Sequence, residues 1–279
     1  KTFAAAFKSA PTVPLDAVYC GDDDGLFHCV DRATGKKRWI FKTGAEIAGA
    51  AAVVGDQVIV GSHDGFLYSL KPSDGSLRWK FQTQDRINCS VAIAGKHTFV
   101  AGCDQHLRVI DIETGKEASD VDFGSYLIAS PAVVGDMLYV GTHGAEVVGF
   151  DWKKKEIVWR YKDPKREFPY HSSAAVTDGY VIVGGQDKQL HCIDRLTGKG
   201  VWTFQARGRI DSSPALVGDR IFFGSADRNF YAVSLKSGKE LWKHNCGGEV
   251  KAGPAIGEGH LVFGSDGTNA AVFCFGAAK

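Results

Sequence analysis

The chain has 279 residues, of which 44% are hydrophobic and 23% are charged, and its formal net charge is +1. These proportions are typical of a globular protein with a sizeable core, and the balanced charge argues against a general nucleic-acid binder. No apolar run approaches the roughly 18 residues of a membrane-spanning helix, so we expect no transmembrane segment. The first residues also lack the long apolar stretch of a signal peptide.

A unit of about 40 residues recurs along the chain. The small residue that ends the first apolar strand of each unit returns at steps of 40, 40, 40, 43, 40 and 40 residues. These residues are Gly21, Gly61, Ala101, Gly141, Gly184, Gly224 and Gly264. Periods of this length are typical of propellers and repeat arrays.

Each unit predicts four short strands in chain order. In the second unit a strand at 57–60 (QVIV) is followed by an Asp-Gly turn at 63–65 and a strand at 66–70 (FLYSL). A second turn at 73–76 (SDGS) precedes a strand that carries Trp79. An inner strand then opens the next unit, as in ASPAVVG and SSPALVG. Runs of β-branched and aromatic residues bounded by Asp and Gly turns are typical of hairpins.

Four strands per unit without a helix predict an all-β, seven-bladed β-propeller of four-stranded antiparallel blades. Stacked repeats bury a shared core, and closure of the ring removes open sheet edges. We expect residues 1 to about 6 to form an N-terminal strand that completes the C-terminal blade. The whole chain, 1–279, is then a single seven-bladed domain.

The repeat resembles the pyrroloquinoline-quinone-like (tryptophan-docking) repeat β-propeller family. Residues 61–79 (GSHDGFLYSLKPSDGSLRW) and 184–202 (GGQDKQLHCIDRLTGKGVW) carry the pattern best. WD40 propellers place Asp directly after the signature Trp, whereas Lys80 and Thr203 stand there in this chain. The resemblance implies that each Trp packs between adjacent blades and that its ring N–H finds a backbone acceptor, so we interpret the Trp residues as structural.

The resemblance also raises the possibility of a quinone cofactor. Quinoprotein dehydrogenase propellers, similar in repeat, commonly place two adjacent cysteines against the cofactor and hold a Ca²⁺ ion. The seven cysteines here include no adjacent pair, and no C-x-x-C metal signature is present. We therefore expect no cofactor, no metal site and no catalytic residue. PQQ with Ca²⁺ is the alternative.

One repeat position, near the mouth of the propeller channel, varies from unit to unit. It holds Lys8, Ala48, Asn88, Ile128, His171, Asp211 and Lys251. Varied polar residues that converge on a channel mouth are typical of binding sites, so Lys8, Asn88, His171, Asp211 and Lys251 are candidate ligand-binding residues. The alternative is that these residues are merely solvated.

The 43-residue step places three extra residues in the loop at 161–171 (YKDPKREFPYH). Basic and aromatic residues on an exposed loop are suited to protein contact. The candidate partner-binding residues are Lys162, Lys165, Arg166, Phe168 and Tyr170. A tolerated insertion without a binding role is the alternative.

These observations favour a non-enzymatic scaffold that binds a protein partner, or a small polar ligand, through the channel mouth and loop 161–171. This role is similar to that of the propeller lipoprotein of Gram-negative outer-membrane assembly. The alternatives are a PQQ-dependent sugar or alcohol oxidoreductase and a sensory domain of a longer polypeptide. The family resemblance favours export to the periplasm, whereas the unpaired cysteines favour the cytoplasm.

Overall fold

The computed structural model describes residues 6–268 and 270–276. These residues form 26 β-strands and no helix, and the fold is an all-β, seven-bladed propeller of four-stranded antiparallel blades, which confirms the predicted fold class. Accordingly, the described residues include no helix with the length and apolarity required to cross a membrane. The chain divides into two compact units, Lys1–Gly135 (unit 1) and Asp136–Lys279 (unit 2). The single domain over 1–279 stays a prediction.

Unit 1 contains the first three blades. Its strands are β1 (Ala17–Gly21), β2 (Leu26–Asp31), β3 (Lys37–Lys42), β4 (Ala52–Val54), β5 (Gln57–Gly61), β6 (Phe66–Leu70), β7 (Leu77–Gln82), β8 (Ala92–Ala94), β9 (His97–Ala101), β10 (His106–Asp111), β11 (Glu117–Asp122) and β12 (Ala132–Val134). The strand orders are β1-β2-β3, β4-β5-β6-β7 and β8-β9-β10-β11. In the first blade the inner strand is reduced to a bridge, in which Thr12 and Tyr19 exchange two backbone hydrogen bonds of 2.9 Å each.

Unit 2 contains β13 (Met137–Gly141), β14 (Val147–Asp151), β15 (Glu156–Tyr161), β16 (Ala175–Val176), β17 (Tyr180–Gly184), β18 (Gln189–Asp194), β19 (Gly200–Gln205), β20 (Ala215–Val217), β21 (Arg220–Gly224), β22 (Asn229–Ser234), β23 (Glu240–Asn245), β24 (Ala255–Gly257), β25 (His260–Gly264) and β26 (Val272–Gly276). The fifth blade has the order β16-β17-β18-β19, the sixth β20-β21-β22-β23 and the seventh β24-β25-β26. The predicted closing strand covers residues 1 to about 6, and residues 1–5 lie outside the described residues.

Four docked tryptophans confirm the structural interpretation for their blades, whereas Trp242 is 37% exposed and its indole donates no such bond to the described residues. Each docked indole Nε1 donates to a backbone carbonyl in the following blade: Trp39 to Pro72 (2.8 Å), Trp79 to Ile112 (2.8 Å), Trp159 to Arg195 (3.0 Å) and Trp202 to Leu235 (3.0 Å). The ring lies on a turn glycine, as on Gly198, where φ is +70° and an added Cβ would approach Trp159 to 2.7 Å. Only glycine combines this left-handed conformation with so close a contact.

A small residue faces each docked tryptophan across the sheet. Cys29 pairs with Trp39 and Cys192 with Trp202, and in both cases the register shifts at the next residue. Both thiols are buried and free, and burial raises the pKa of Cys192 to about 12. In the third blade the sizes are exchanged, because Val109 pairs with Ser119. The residue opposite each tryptophan is therefore determined by the space that the indole leaves, as expected of a structural thiol.

Candidate functional site

The variable repeat position identified in the sequence, here called the mouth position, is paired with a second polar position 15 residues later. Asn88 Nδ2 donates to Cys103 Sγ at 2.8 Å. Gln186 Nε2 lies 2.7 Å from His171 Nδ1. The same offset places Lys8 Nζ 3.4 Å from Asp23 Oδ2 and Lys251 Nζ 3.1 Å from Asp266 Oδ2. Four of the five candidate ligand-binding residues thus belong to an ordered polar pair within their own blade.

In unit 1 the mouth residue Lys8 lies between two carboxylates. Its Nζ is 3.0 Å from Glu46 Oε1 as well as near Asp23, and the Glu46 carboxylate raises the pKa of Lys8. Glu46 also approaches His63, with Oε2 at 3.6 Å from Nδ1. Asp23 Oδ1 and His63 Nε2 are buried atoms without a hydrogen-bond partner. This corner of unit 1 therefore presents an acceptor and a ring nitrogen that are free to bind.

In unit 2 the mouth residue Asp211 departs from the pairing rule, because Ala226 occupies the position 15 residues later. Asp211 Oδ2 instead accepts from Arg209 Nε at 2.7 Å. Glu249 then links Arg209 (3.7 Å) to the mouth residue Lys251 (3.1 Å). Hydrogen bonds to Asp266 and Glu249 raise the pKa of Lys251. The charges of this mouth are thus largely compensated among themselves.

His171 and Asp211 carry the unsatisfied atoms of the unit 2 mouth. His171 Nε2 and Asp211 Oδ1 are buried and make no hydrogen bond. The ring of His143 stacks on that of His171, with centroids 6.0 Å apart. Burial lowers the pKa of His171, the charges of His143 and Arg209 act in the same direction, and Asp211 opposes them. Because unsatisfied buried polar atoms are costly, these two atoms are the best placed to bind a small polar ligand.

Loop 161–171 presents some of its predicted contact residues and buries others. Lys162 and Lys165 are exposed, and Lys162 pairs with Glu167 at 3.0 Å. Phe168 is 49% exposed. Arg166 Nη1 donates to the main-chain oxygen of Asp187 at 2.6 Å, which holds the loop against the turn between β17 and β18.

Tyr170 is 2% exposed and is not available for partner contact. It stands at the core position that Ile47 and Ile210 occupy in their blades, and a Cβ on Gly141 would approach the Tyr170 Cβ to 2.6 Å. Alignment with those isoleucines is the sequence signal for this role. We therefore leave Tyr170 out of the binding surface.

Two cavities flank the loop. One, of about 520 Å³, is lined by Phe168, by the basic residues Arg166, Lys188 and Arg207, and by Asp187. The other, of about 670 Å³, is lined by five basic residues and by Asp163; the basic residues are Arg160, Lys162, Lys165, Arg166 and Lys199. The exposed aromatic ring therefore lies in a basic setting.

The mouth residues do not fit a calcium-held quinone. Among residues 6–268 and 270–276, the group of three His, Cys, Asp or Glu side chains close enough to share a metal is Asp163, Asp187 and His191. It lies at the base of loop 161–171 and includes an imidazole, whereas Ca²⁺ takes oxygen ligands. The mouth instead combines histidine and lysine with carboxylates that are already paired.

These features define a propeller of tryptophan-docked repeats with a polar mouth and one irregular loop. A family profile described as "Outer membrane protein assembly factor BamB" matches residues 1–86, 81–176 and 168–274. The chain belongs to this family, which confirms the resemblance to the pyrroloquinoline-quinone-like repeat propellers. No curated protein sequence matches the chain.

Solved structures of low sequence identity share the fold. BamB from Moraxella catarrhalis is 19% identical, with a TM-score of 0.81 over 97% of this chain and 86% of that one. A europium-containing methanol dehydrogenase is 14% identical, with a TM-score of 0.77 over 92% and 72%. The computationally designed Ika8 protein is 15% identical, with a TM-score of 0.68 over 98% and 97%. At these identities the likeness concerns the fold alone.

Proposed function

We propose that the protein is a non-enzymatic scaffold that binds an acidic segment of a protein partner through loop 161–171, beside the mouth of unit 2. The carrying observation is the exposed Phe168, which lines the 520 Å³ cavity together with Arg166, Lys188 and Arg207. Family membership supports a scaffold role, since the family is described by a protein assembly factor.

The chemistry of the loop indicates the partner. An exposed aromatic ring supplies apolar contact area with few rotatable bonds, and such residues commonly anchor interfaces. The surrounding lysines and arginines favour carboxylates, which raise the rate of encounter and select against basic partners. Lys165 and Phe168 are both exposed. They can meet a partner without rearrangement of the loop.

The test is co-purification from the native source with wild-type and variant proteins as bait. In the variant Lys165→Glu/Phe168→Ala we expect a partner captured by the wild type to bind at least about tenfold more weakly, as expected when a central anchor and a charge are lost together. The control, Lys236→Glu/Lys239→Glu, makes a larger charge change in an exposed turn of the same unit. Equal capture by all three proteins would reject loop 161–171 as the binding surface.

The mouth of unit 2 supports a small polar ligand as a second candidate. The unpartnered His171 Nε2 and Asp211 Oδ1 could pair with a ligand that carries both a donor and an acceptor. The ring resonances of His171 report such binding by NMR. The candidate fails if a polar ligand found by screening shifts those resonances equally in wild-type protein and Asp211→Asn.

A further inference from the structure

We propose a divalent transition-metal site at the base of loop 161–171, formed by Asp163, Asp187 and His191, and Zn²⁺ is the ion that this ligand set fits. The three ligand atoms lie within 4.8 Å of one another. Asp163 belongs to the loop, Asp187 to the turn between β17 and β18, and His191 to β18. The site does not depend on the proposed function.

The turn aspartate at the equivalent position of other blades shows which hydrogen-bond donors its carboxylate ordinarily has. There an aspartate accepts a hydrogen bond from the side chain four residues later: Asp64 from Tyr68 (2.7 Å), Asp104 from Arg108 (2.6 Å) and Asp227 from Tyr231 (2.7 Å). The same carboxylates also accept a backbone N–H from the preceding loop, from Gly44 (2.7 Å), Gln84 (3.2 Å) and Arg207 (2.9 Å). Each also accepts the backbone N–H two residues later, at 3.0–3.2 Å. A single buried carboxylate thus has three protein donors.

The fifth blade has lost one donor at this position and gained a charge. Pro164 stands where Gly44 supplies its N–H to Asp64, and proline has none. Asp163 stands where the Thr43 hydroxyl donates to backbone carbonyls, so a second carboxylate is added there. No lysine or arginine nitrogen of the described residues lies within 4.0 Å of either carboxylate.

Asp187 keeps contacts with the Gln189 N–H (3.0 Å) and His191 Nε2 (3.1 Å), and Asp163 accepts from the Lys165 N–H (2.8 Å). What the two carboxylates lack is a lysine or arginine partner, and a bound cation would balance their charge.

The geometry suits a metal ion. His191 Nε2 is 3.1 Å from Asp187 Oδ2, and ligand atoms about 2.0–2.2 Å from a tetrahedral Zn²⁺ are separated by roughly 3.3–3.6 Å. Small rotations of the two side chains bring both within bonding range. The His191 side chain is 0% exposed, and its Nδ1 lies 3.1 Å from the Tyr161 hydroxyl. A second hydrogen bond of this kind fixes the ring orientation of metal-binding histidines.

The ligand types select among metals. Ca²⁺ and Mg²⁺ prefer oxygen ligands throughout, whereas an imidazole with two carboxylates suits a first-row transition metal, and Zn²⁺ binds more tightly than Mn²⁺ in most such sites. Asp163 lines the 670 Å³ cavity and Asp187 the 520 Å³ cavity, so an ion can reach the site from either side of the loop. Bound there, it would tie the loop to β18.

The test is calorimetric titration of the reduced protein with ZnCl₂, together with thermal unfolding. Asp163→Thr/Pro164→Gly copies Thr43 and Gly44 of the first blade, so this variant removes the second carboxylate, restores the backbone donor and should fold. We expect the double variant to lower Zn²⁺ affinity at least about tenfold and to abolish a rise in Tm of several degrees that Zn²⁺ causes in the wild type. The control Asp219→Asn, an exposed turn residue, should bind as the wild type does.

A second variant separates this site from the thiols. His191→Tyr copies Tyr231 of the sixth blade, whose hydroxyl satisfies the aspartate four residues earlier. It should lose the same Zn²⁺ binding as the double variant. Zn²⁺ binding that is equal in the wild type and Asp163→Thr/Pro164→Gly would place the metal on cysteines or mouth histidines and overturn the proposal. Absence of Zn²⁺ binding to the wild type would overturn it as well.

Discussion

The fifth and sixth blades of unit 2 share their strand order and tryptophan docking, here called the frame. They differ at the corner, the aspartate in the turn between the second and third strands and its contacts with the preceding loop. Each has four strands in sequential order, and each receives a tryptophan on a turn glycine of positive φ, Trp159 on Gly198 and Trp202 on Gly238. Their second turns share a backbone hydrogen bond, from the Gly198 N–H to the Asp194 oxygen (2.9 Å) and from the Gly238 N–H to the Ser234 oxygen (2.8 Å). The frame is therefore repeated almost without change.

The corner that faces the preceding loop is where the two blades diverge. In the sixth blade, Asp227 is satisfied by Tyr231 and by the Arg207 N–H. In the fifth, Asp187 meets His191 and a second carboxylate, Asp163. The frame stabilises the sheet stack and cannot vary without loss of packing. The corner is free to change, and the irregular loop and the proposed metal site both lie there.

Removal of the docked tryptophans should break the shared frame and have the largest effect. Trp159→Ala and Trp202→Ala each delete a packed indole and its hydrogen bond, and each should cost about 3–5 kcal/mol of unfolding free energy. Urea denaturation followed by circular dichroism measures this cost. Trp242→Ala is the matched control, because Trp242 is 37% exposed and should cost clearly less. Equal losses at all three positions would show that docking contributes nothing specific.

Tyr231→Phe removes one hydrogen bond at the corner and should have an intermediate effect. It removes the hydroxyl that donates to Asp227, at an expected cost of about 1–2 kcal/mol. Burial alone would raise the pKa of Asp227, but hydrogen bonds from Tyr231, Arg207 and Asn229 outweigh it and leave the pKa below its ordinary value. Tyr180→Phe is the control, since its hydroxyl makes no hydrogen bond to the described residues.

The sign of the pH dependence of the Tyr231→Phe penalty follows from the lowered pKa. A carboxyl whose pKa is lower in the folded state stabilises the fold above the unfolded value, about 3.9 for Asp. That stability is lost as the pH falls through the folded pKa. The cost of Tyr231→Phe should therefore be full at pH 7 and shrink below about pH 4. An undiminished cost in acid would mean that the hydroxyl does not act through Asp227.

The frame was predictable from sequence because it is periodic. The seven Gly or Ala residues that end the first apolar strand of each unit, together with the Trp positions, predict the blade count and the strand order, because every blade has the same packing contacts. The reduction of the first inner strand to the Thr12–Tyr19 bridge was not foreseen. The length of a strand that is paired by hydrogen bonds depends on the path of the neighbouring chain rather than on the strand's own sequence pattern.

The candidate site was predictable only in part. The mouth position was found because it varies, but its pairing with the residue 15 positions later was missed, although that offset is constant. The repeat pattern indicates only that Asp187 lies in a hairpin turn, because its convergence with Asp163 depends on the path of an irregular loop. The basic and aromatic composition of loop 161–171 predicts a surface role for Tyr170, whereas its repeat register places it in the core. In an irregular segment no equivalent residue of another blade indicates whether a side chain is buried or exposed.

His171→Asn should give the smallest effect. It tests whether the mouth of unit 2, unlike the corner, contains a buried histidine whose titration changes stability. The pKa of His171 is lowered by burial, with His143 and Arg209 adding to the effect and Asp211 opposing it. Below the unfolded value of about 6.5 the unfolded chain binds the proton first, so His171 favours unfolding as the pH falls from there towards the folded pKa. Asn88 occupies the same repeat position in the third blade, so asparagine should fit at a cost of about 0.5 kcal/mol or less at pH 8.

Urea denaturation at pH 8 and pH 5.5 measures the effect of the His171→Asn change. The unfolding free energy should fall less between these two pH values in the variant than in the wild type. An equal fall in both proteins would mean that His171 titrates as a solvated residue, and its unsatisfied Nε2 would no longer distinguish the mouth.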